Sequence, residues 1–553
     1  MTLFIFLRLL SYQIFGDVES LPDLPSRNPA ARGIIVDRNG NLLAGDRFIY
    51  ELRIAPDQVK SEEERAVLAH GLESFIGLDA AETILKLQLN AEKNYLMLAK
   101  DIPFSQGQMI SQWVQETSDA YPFLQVLEIA PIPQRYYPQK ELAAQTIGFV
   151  GLSSSRDAHY GLEEYYNTFL QADGVSLTDP RNSLSIDSLP QEVRRFIPSV
   201  AGHDLVLTLD RGIQWIIEDE LKLGVELYQA VGGTIIVMDP HTGAIRGLAN
   251  WPAYDPNAYP TVKDLSLFTN PAISAQYEPG SIFKVITMAA AIDSEIVAPY
   301  TRFVDSGSIT VGERIIFNST RTAYGDVTAA EALALSINVV TAEIAERLGP
   351  DRLYEYIRSF GFGRATKVDL AGEIPGLLKT PSSPEWSYSD VATNSFGQGI
   401  AVTPIQMICS VAAIANQGKL LRPYIVQSRI QDGQVQETEP TVVHQVISPK
   451  STSQLTEMMV GVVETNVQSA IPQGYRVAGK TGTAQIPGEG GYLDDQIIAS
   501  FVGFGPVEAP EFVILIKLDR PNMLISQWAT TSAAPIFGRV AGRLFEYAGI
   551  PPR

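Results

Sequence analysis

Ser281 and Lys284 stand one helical turn apart in the stretch Ser281-Ile282-Phe283-Lys284. Residues three apart on a helix share a face. A serine hydroxyl is a weak nucleophile at neutral pH and needs a base, which a lysine kept from water and easily deprotonated can supply. The run Ile282–Ala291 is almost wholly apolar, so Lys284 is expected to be buried. Pro279-Gly280 precedes the serine and puts it at a helix N-terminus, where backbone N–H groups favour developing negative charge. A serine that merely caps its helix beside a solvated lysine does not suit that apolar run. This is the one S-x-x-K in the chain.

Two further groups follow at distances that leave room for a helical subdomain and a return to a sheet edge. Ser336-Ile337-Asn338 begins 55 residues after Ser281, and Lys480-Thr481-Gly482-Thr483 begins 199 residues after it. In the S-x-N turn both side chains can face one cleft, where Ser336 relays a proton and Asn338 holds a substrate carbonyl. Lys480, Thr481 and Thr483 suit a carboxylate, and Gly482 lets a substrate backbone approach the strand closely. The backbone N–H groups of Ser281 and Thr483 can together form an oxyanion hole. Rival chemistry is poorly represented. His70, His159, His203, His241 and His444 fall in no metal-binding spacing, and there is no G-x-S-x-G elbow, Walker A or dinucleotide fingerprint. Neither a nucleotide nor a metal cofactor is implied.

The elements that must position these groups are legible in outline. The 553 residues predict two or three domains. Asn39-Gly40, between two apolar runs, is a hairpin signal. Ser61-Glu62-Glu63-Glu64 opens a helical pattern across residues 57–120, and residues 122–200 mix short strands and loops. From about residue 201 the pattern changes. Asp204–Leu209 reads as a strand, Arg211–Leu227 as an amphipathic helix, and Thr234–Met238 and Ala244–Ala249 as strands joined by a turn. Helices follow over 281–293, 328–348, 351–361 and 406–416. Arg476–Gln485, Ile497–Phe504 and Glu511–Leu518 then read as strands, and Ala533–Tyr547 as a closing helix. The expectation is an α+β chain with a mixed sheet of about five strands covered by helices.

Composition bounds the partners. Hydrophobic residues make up 45% of the chain, enough for sizeable cores, and the net charge of −20 argues against nucleic acid or anionic lipid as the main partner. The lone cysteine, Cys409, lies in an apolar run and reads as a buried structural residue. Met1–Phe15 is strongly apolar but shorter than the roughly 20 residues that span a bilayer as a helix. It reads as the outer part of a membrane anchor over residues 1–18, or else as an amphipathic or core helix. Leu21–Arg32, rich in Pro, Ser and Arg, reads as a linker.

S-x-x-K, S-x-N and K-T-G in this order are the signature of serine enzymes that acylate on penicillin. The chain resembles the class B penicillin-binding proteins, peptidoglycan D,D-transpeptidases, over nearly everything after residue 30. Arg32-Gly33 with Asp37-Arg38-Asn39-Gly40, Arg135-Tyr136-Tyr137-Pro138 and Gly161-Leu162-Glu163 are similar to motifs of that family's N-terminal pedestal. Leu207-Thr208-Leu209-Asp210, Asp239-Pro240, Asp255-Pro256-Asn257, Tyr277-Glu278-Pro279-Gly280-Ser281 and Phe396-Gly397-Gln398-Gly399 with Thr403-Pro404 are similar to motifs of its transpeptidase domain.

The resemblance implies a pedestal over 19–200, elongated and dimerisation-like, and a penicillin-binding transpeptidase fold with a helical subdomain over 201–553. It implies that Ser281 attacks the penultimate D-alanine carbonyl of a stem peptide and that Lys284 is the general base. Ser336 and Lys480 relay protons, Asn338 orients the donor, and Thr481, Gly482 and Thr483 bind the substrate's carboxylate end. It implies acylation by β-lactams, an extracytoplasmic catalytic domain on a bacterial cell membrane, and a polytopic glycosyltransferase of wall synthesis as partner. The Tyr277–Lys284 and Ser395–Pro404 segments lean towards a division role over elongation. The alternatives are a β-lactamase or D,D-carboxypeptidase of the same superfamily, and a wall-assembly scaffold or β-lactam sensor without turnover. Some 180 extra residues before the catalytic region disfavour a β-lactamase, and an intact Ser281, Lys284 and Lys480 disfavour a scaffold.

Overall fold

Ser61 opens helix α1 (Glu62–Ile76) through a reciprocal cap: its hydroxyl accepts from Glu64 N–H, and the Glu64 carboxylate accepts from Ser61 N–H. The computed structural model describes residues 32–151, 157–171, 202–488 and 491–552. The expected anchor and nearly all of the linker behind it lie outside these residues. Among the described residues no helix is long and apolar enough to cross a membrane.

The chain forms two compact units, each assembled from separate stretches. The described residues of the first fall within 1–34, 44–138 and 168–204, and those of the second within 35–43, 139–167 and 205–553. The border read from the sequence near residue 201 lies beside the last crossing; two earlier stretches also belong to the second unit.

In the first unit, strand β1 (Leu42–Ile54) pairs antiparallel with β2 (Leu96–Pro103) and β3 (Leu127–Tyr136). Helices α1, α2 (Ala80–Leu89) and α3 (Phe104–Thr117) close a core around Leu52, Leu68, Leu72, Leu87 and Ile110. The sequence expects helix throughout 57–120. Leu96–Pro103 is instead a strand, because pairing with β1 overrides its local preference. Two of the quoted motifs meet here: buried Arg135 donates through Nη1 to the Gly33 carbonyl at 2.8 Å.

The second unit carries the candidate site. Asp210 caps helix α4 (Arg211–Tyr228) by accepting from Gly212 and Ile213 N–H. Strands β4 (Gly232–Met238) and β5 (Ile245–Trp251) form a hairpin. A short 3-10 turn, Gly280–Phe283, leads into α5 (Lys284–Asp293). Helices α6 (Ala329–Ala334), α7 (Asn338–Ser359), α8 (Pro404–Ala415) and α9 (Pro449–Asn466) follow. Then come β6 (Ala478–Gly488), β7 (Gly491–Gly505), β8 (Phe512–Asp519) and α10 (Ala533–Tyr547).

The five strands lie in the order β6-β7-β8-β4-β5. Every ladder is antiparallel, where the sequence reading leaves the directions mixed. The reason is connection length: β4–β5, β6–β7 and β7–β8 are joined by short links, which place consecutive strands antiparallel. Helices α4 and α10 pack on this sheet, as does α8. Every residue of β4 is buried, as a strand covered on both faces must be. The protein is α+β, as the sequence leads one to expect.

The two early stretches are bonded into this unit. Buried Asp37 accepts from Asn39 and Asn41 N–H at 2.9 and 2.7 Å, closing the Asn39-Gly40 turn, and from Arg211 N–H at 3.0 Å. Ala143 N–H donates to Glu218, Gln145 to the Pro252 carbonyl, and Tyr166 to Asp369. Asp369 also accepts from Ile425 and Val426 N–H.

Candidate active site

A break in the helical run over 328–348 does the first positioning. The run read as helix is broken at the S-x-N motif, which the sequence also reads as a turn: α6 stops at Ala334 and α7 starts at Asn338. Between them Ser336 adopts a left-handed backbone with φ of 57°. That conformation costs a non-glycine residue on the order of 1–3 kcal/mol and persists only where its surroundings hold it. Here Ser336 N–H donates to Leu333 O and Ile337 N–H to Ala332 O, which pins the bend.

The bend presents Ser336 to two lysines. Lys284 Nζ donates to the Ser336 carbonyl and, at 3.1 Å, to its hydroxyl oxygen. Lys480 Nζ lies 3.1 Å from the same hydroxyl oxygen and 3.3 Å from the Thr481 carbonyl. Each lysine is only 1% exposed, so the apolar run after Ser281 does bury Lys284. Burial, followed by the nearby Lys480 charge, holds the Lys284 amine well below the usual lysine range. Burial lowers Lys480 to about 7. Two amines sharing one hydroxyl in a water-poor space cannot both hold an extra proton comfortably, so one is readily neutral.

Ser281 sits in the 3-10 turn, half-buried, and its carbonyl accepts from Lys284 N–H. Among the described residues its hydroxyl makes no hydrogen bond; the amine expected beside it is engaged by Ser336. The turn packs directly on β6, the edge strand. A Cβ placed on Gly482 would lie 2.6 Å from Pro279 O, and one on Gly280 would lie 3.1 Å from Thr483 O. The close approach at Gly482 is thus made by the serine's own loop. Gly280 N–H in turn donates to Gly397 O at 3.1 Å.

Thr481 and Thr483 are half-buried on the same strand, and the Thr483 hydroxyl accepts from Ala529 N–H. Asn338 Nδ2 donates to the Phe317 carbonyl at 3.0 Å. The structure therefore gathers Ser281, Lys284, Ser336, Lys480, Gly482 and Thr483 closely. Thr481 and Asn338 flank them, each a residue or two away in sequence.

Sequence reasoning gave no role to Glu278, Tyr492 or Lys517. Glu278 lies in a quoted motif and accepts from both Gly399 N–H and the Tyr492 hydroxyl. Lys517 is 3% exposed within apolar β8, pairs with Asp519, and lies 5.3 Å from the Tyr277 ring centre. A lone lysine inside Phe512–Leu518 was a signal available in the sequence. Tyr492 had none. Cys409 is buried and its thiol is pushed up by burial, so it is no nucleophile. Among the described residues no cluster of His, Cys, Asp and Glu is placed to hold a metal ion.

The penicillin-binding protein transpeptidase domain matches residues 233–542, and the penicillin-binding protein dimerisation domain matches 27–172. Stage V sporulation protein D of Bacillus subtilis is 32% identical over 94% of this chain and 79% of its own. A peptidoglycan D,D-transpeptidase FtsI homolog of Mesostigma viride is 30% identical over 94% of this chain and 88% of its own. Among solved structures, penicillin-binding protein 3 of Mycobacterium tuberculosis in complex with aztreonam has a TM-score of 0.70 at 27% identity, covering 95% of this chain and 98% of that one. With both domains matched in order and the three motifs of the second gathered at one strand edge, the chain belongs to the class B penicillin-binding proteins.

Proposed function

We propose that the chain is a serine peptidoglycan D,D-transpeptidase whose acyl-enzyme forms on Ser281. The observation that carries this is the Ser336 hydroxyl held between two buried amines, with the Ser281 turn packed against the same strand. Relatives named as D,D-transpeptidases support the reaction class.

Neutral Lys284 takes the Ser281 proton, directly or through the Ser336 hydroxyl. Ser281 Oγ bonds to the penultimate D-alanine carbonyl carbon of a stem peptide. Backbone N–H groups of Ser281 and Thr483 hold the resulting oxyanion. The C–N bond breaks, and the leaving D-alanine amine takes the proton passed through Ser336 and Lys480. Asn338 orients the donor peptide; Lys480, Thr481 and Thr483 hold its terminal carboxylate, with Gly482 keeping strand and turn together. An acceptor amine from a second strand then attacks the ester, gives its extra proton to Lys284 and frees the Ser281 hydroxyl, leaving a cross-link. A β-lactam opens its ring amide onto Ser281 in the same way and stays tethered, so deacylation is slow.

The wider reading places the catalytic domain outside a bacterial cell membrane, on a pedestal and an N-terminal anchor, beside a polytopic glycosyltransferase. A division role is favoured over elongation by the Tyr277–Lys284 and Ser395–Pro404 segments.

The test is to incubate the protein with a D-alanyl-D-alanine-ended donor peptide and a D-amino acid acceptor. Released D-alanine together with exchanged peptide is the expected result. Hydrolysis without exchange would make the protein a D,D-carboxypeptidase, and neither product a scaffold or sensor. The pH profile follows from the amines. Lys284 works as the base in its neutral form, so acylation should rise with pH through the neutral region and fall at low pH, where Lys284 gains its own proton. Stopped-flow acylation by a chromogenic β-lactam from pH 5.5 to 9 reads this directly; a flat profile would remove the lysines from proton transfer.

A further inference from the structure

Strands β6 and β7 outrun the sheet they belong to. β8 pairs with β7 only from Ile498 to Gly505. β6 and β7 remain paired out to Gly488 and Gly491, with a register shift between Gln485 and Pro487. The part beyond Ile498 is a two-stranded ribbon with no third strand, and such ribbons are marginal alone in water.

One side chain ties it down. The Tyr492 hydroxyl lies 2.9 and 3.2 Å from the two Glu278 carboxylate oxygens, donating to the nearer. Among the described residues, these are the only hydrogen bonds that Ile486–Gln496 make outside the ribbon. Glu278 stands three residues before Ser281 and also accepts from Gly399 N–H at 2.9 Å. Gly397, two residues before that, receives Gly280 N–H. One half-buried carboxylate therefore joins the ribbon at Tyr492, the Gly397–Gly399 turn and the segment leading to Ser281. Tyr492 is 39% exposed, so this bond lies at the surface, and its strength comes from the charged carboxylate that accepts it.

We infer that Glu278 and Tyr492 form a catch that holds the ribbon, and with it the Thr481–Thr483 edge, in register with the Ser281 turn. Tyr492 is a positioning residue for acylation, an inference that rests on the acyl-serine reading above. The physical reason is that β6 runs as one strand from the Lys480–Thr483 edge into the ribbon, with the register shift at Gln485–Pro487 between them. A tilt of the ribbon moves that edge relative to Ser281, and misplacement of about 1 Å costs on the order of 10²-fold in rate.

The experiment compares wild type, Tyr492→Phe and Glu278→Gln as full chains. Stopped-flow with a fluorescent penicillin separates initial affinity from the acylation rate constant, and hydrogen exchange follows residues 484–497. Tyr492→Phe should lower the rate constant by on the order of 10-fold to 10²-fold, leave the melting temperature in place and speed exchange in the ribbon. Glu278→Gln keeps an acceptor for the hydroxyl and should fall between the two. Unchanged rate and exchange in Tyr492→Phe, with wild type labelled on Ser281, would overturn the catch alone. A loss of affinity at an unchanged rate constant would also overturn it, making Tyr492 a ligand contact. A wild type that forms no adduct on Ser281 would overturn the acyl-serine reading and the catch together.

Discussion

Ser281→Ala should form no covalent adduct with fluorescent penicillin, while the wild type carries one adduct that peptide mass spectrometry places on Ser281. The expected loss is on the order of 10⁶-fold in turnover, the scale on which a catalytic serine is missed. The substitution is a clean one. The Ser281 hydroxyl has no hydrogen-bond partner among the described residues, so removing it leaves no orphaned donor or acceptor. Stability should stay within about 0.5 kcal/mol of wild type, as for changes away from packed or bonded sites. An adduct that survives in Ser281→Ala would move the nucleophile elsewhere and with it the whole mechanism.

Lys284→Met should lower acylation by about 10²–10⁴-fold, the usual worth of a positioned general base. Methionine keeps most of the volume of a side chain that is 1% exposed, so the fold has no cavity to absorb. Stability should move the other way. A buried amine held below its usual range binds protons less readily folded than unfolded, so the wild type gains stability as pH rises towards the ordinary lysine value. At neutral pH that is a penalty, and Lys284→Met removes it. Denaturant melts at pH 7 and 9 should show a variant at least as stable as wild type and less sensitive to pH. Lys284→Arg, which cannot give up its proton, should be as slow as Lys284→Met. Either variant acylating at the wild-type rate would leave Lys284 a structural residue.

The sequence was most legible where one local signal sufficed. The Ser61 cap, the Asn39-Gly40 turn and the closing helix Ala533–Tyr547 all stand where their residues put them. The structure brings the three motifs together at one strand edge. What stayed hidden depended on distant partners. Strand β2 needs β1, and nothing within Leu96–Pro103 says so. The bend at Ser336 splits the helix read over 328–348 at the S-x-N motif; local backbone bonds pin it, and two distant lysines hold its side chain. Helix α9 went unread although Leu455, Met458, Met459, Val462 and Val463 recur at helical spacing, because its first turn and a half is polar and Gly461 interrupts it. Gly482 was read as room for a substrate, and the room is filled by Pro279. The partners Glu278 and Tyr492 are 214 residues apart, beyond any local pattern.

The order of strands in the sheet sets a problem for a chain made from one end. β4 and β5 leave the ribosome early and pair with each other, yet the strand on the other edge of β4 is β8, the last of the five to be made. Until β8 arrives, the seven residues of β4, all destined for burial, offer an open edge. Such edges recruit other chains. The β6–β7 hairpin emerges in between and cannot dock, because β8 is the piece that separates and joins the two hairpins. Asp37 and Tyr166 likewise wait for Arg211 and Asp369. A nascent chain stopped short of Phe512 therefore holds both lysines and the serine but no sheet to bring them together, and is a substrate for chaperones and proteases. The proposed reactive centre comes into being in one late event, when the central strand closes between two hairpins already formed.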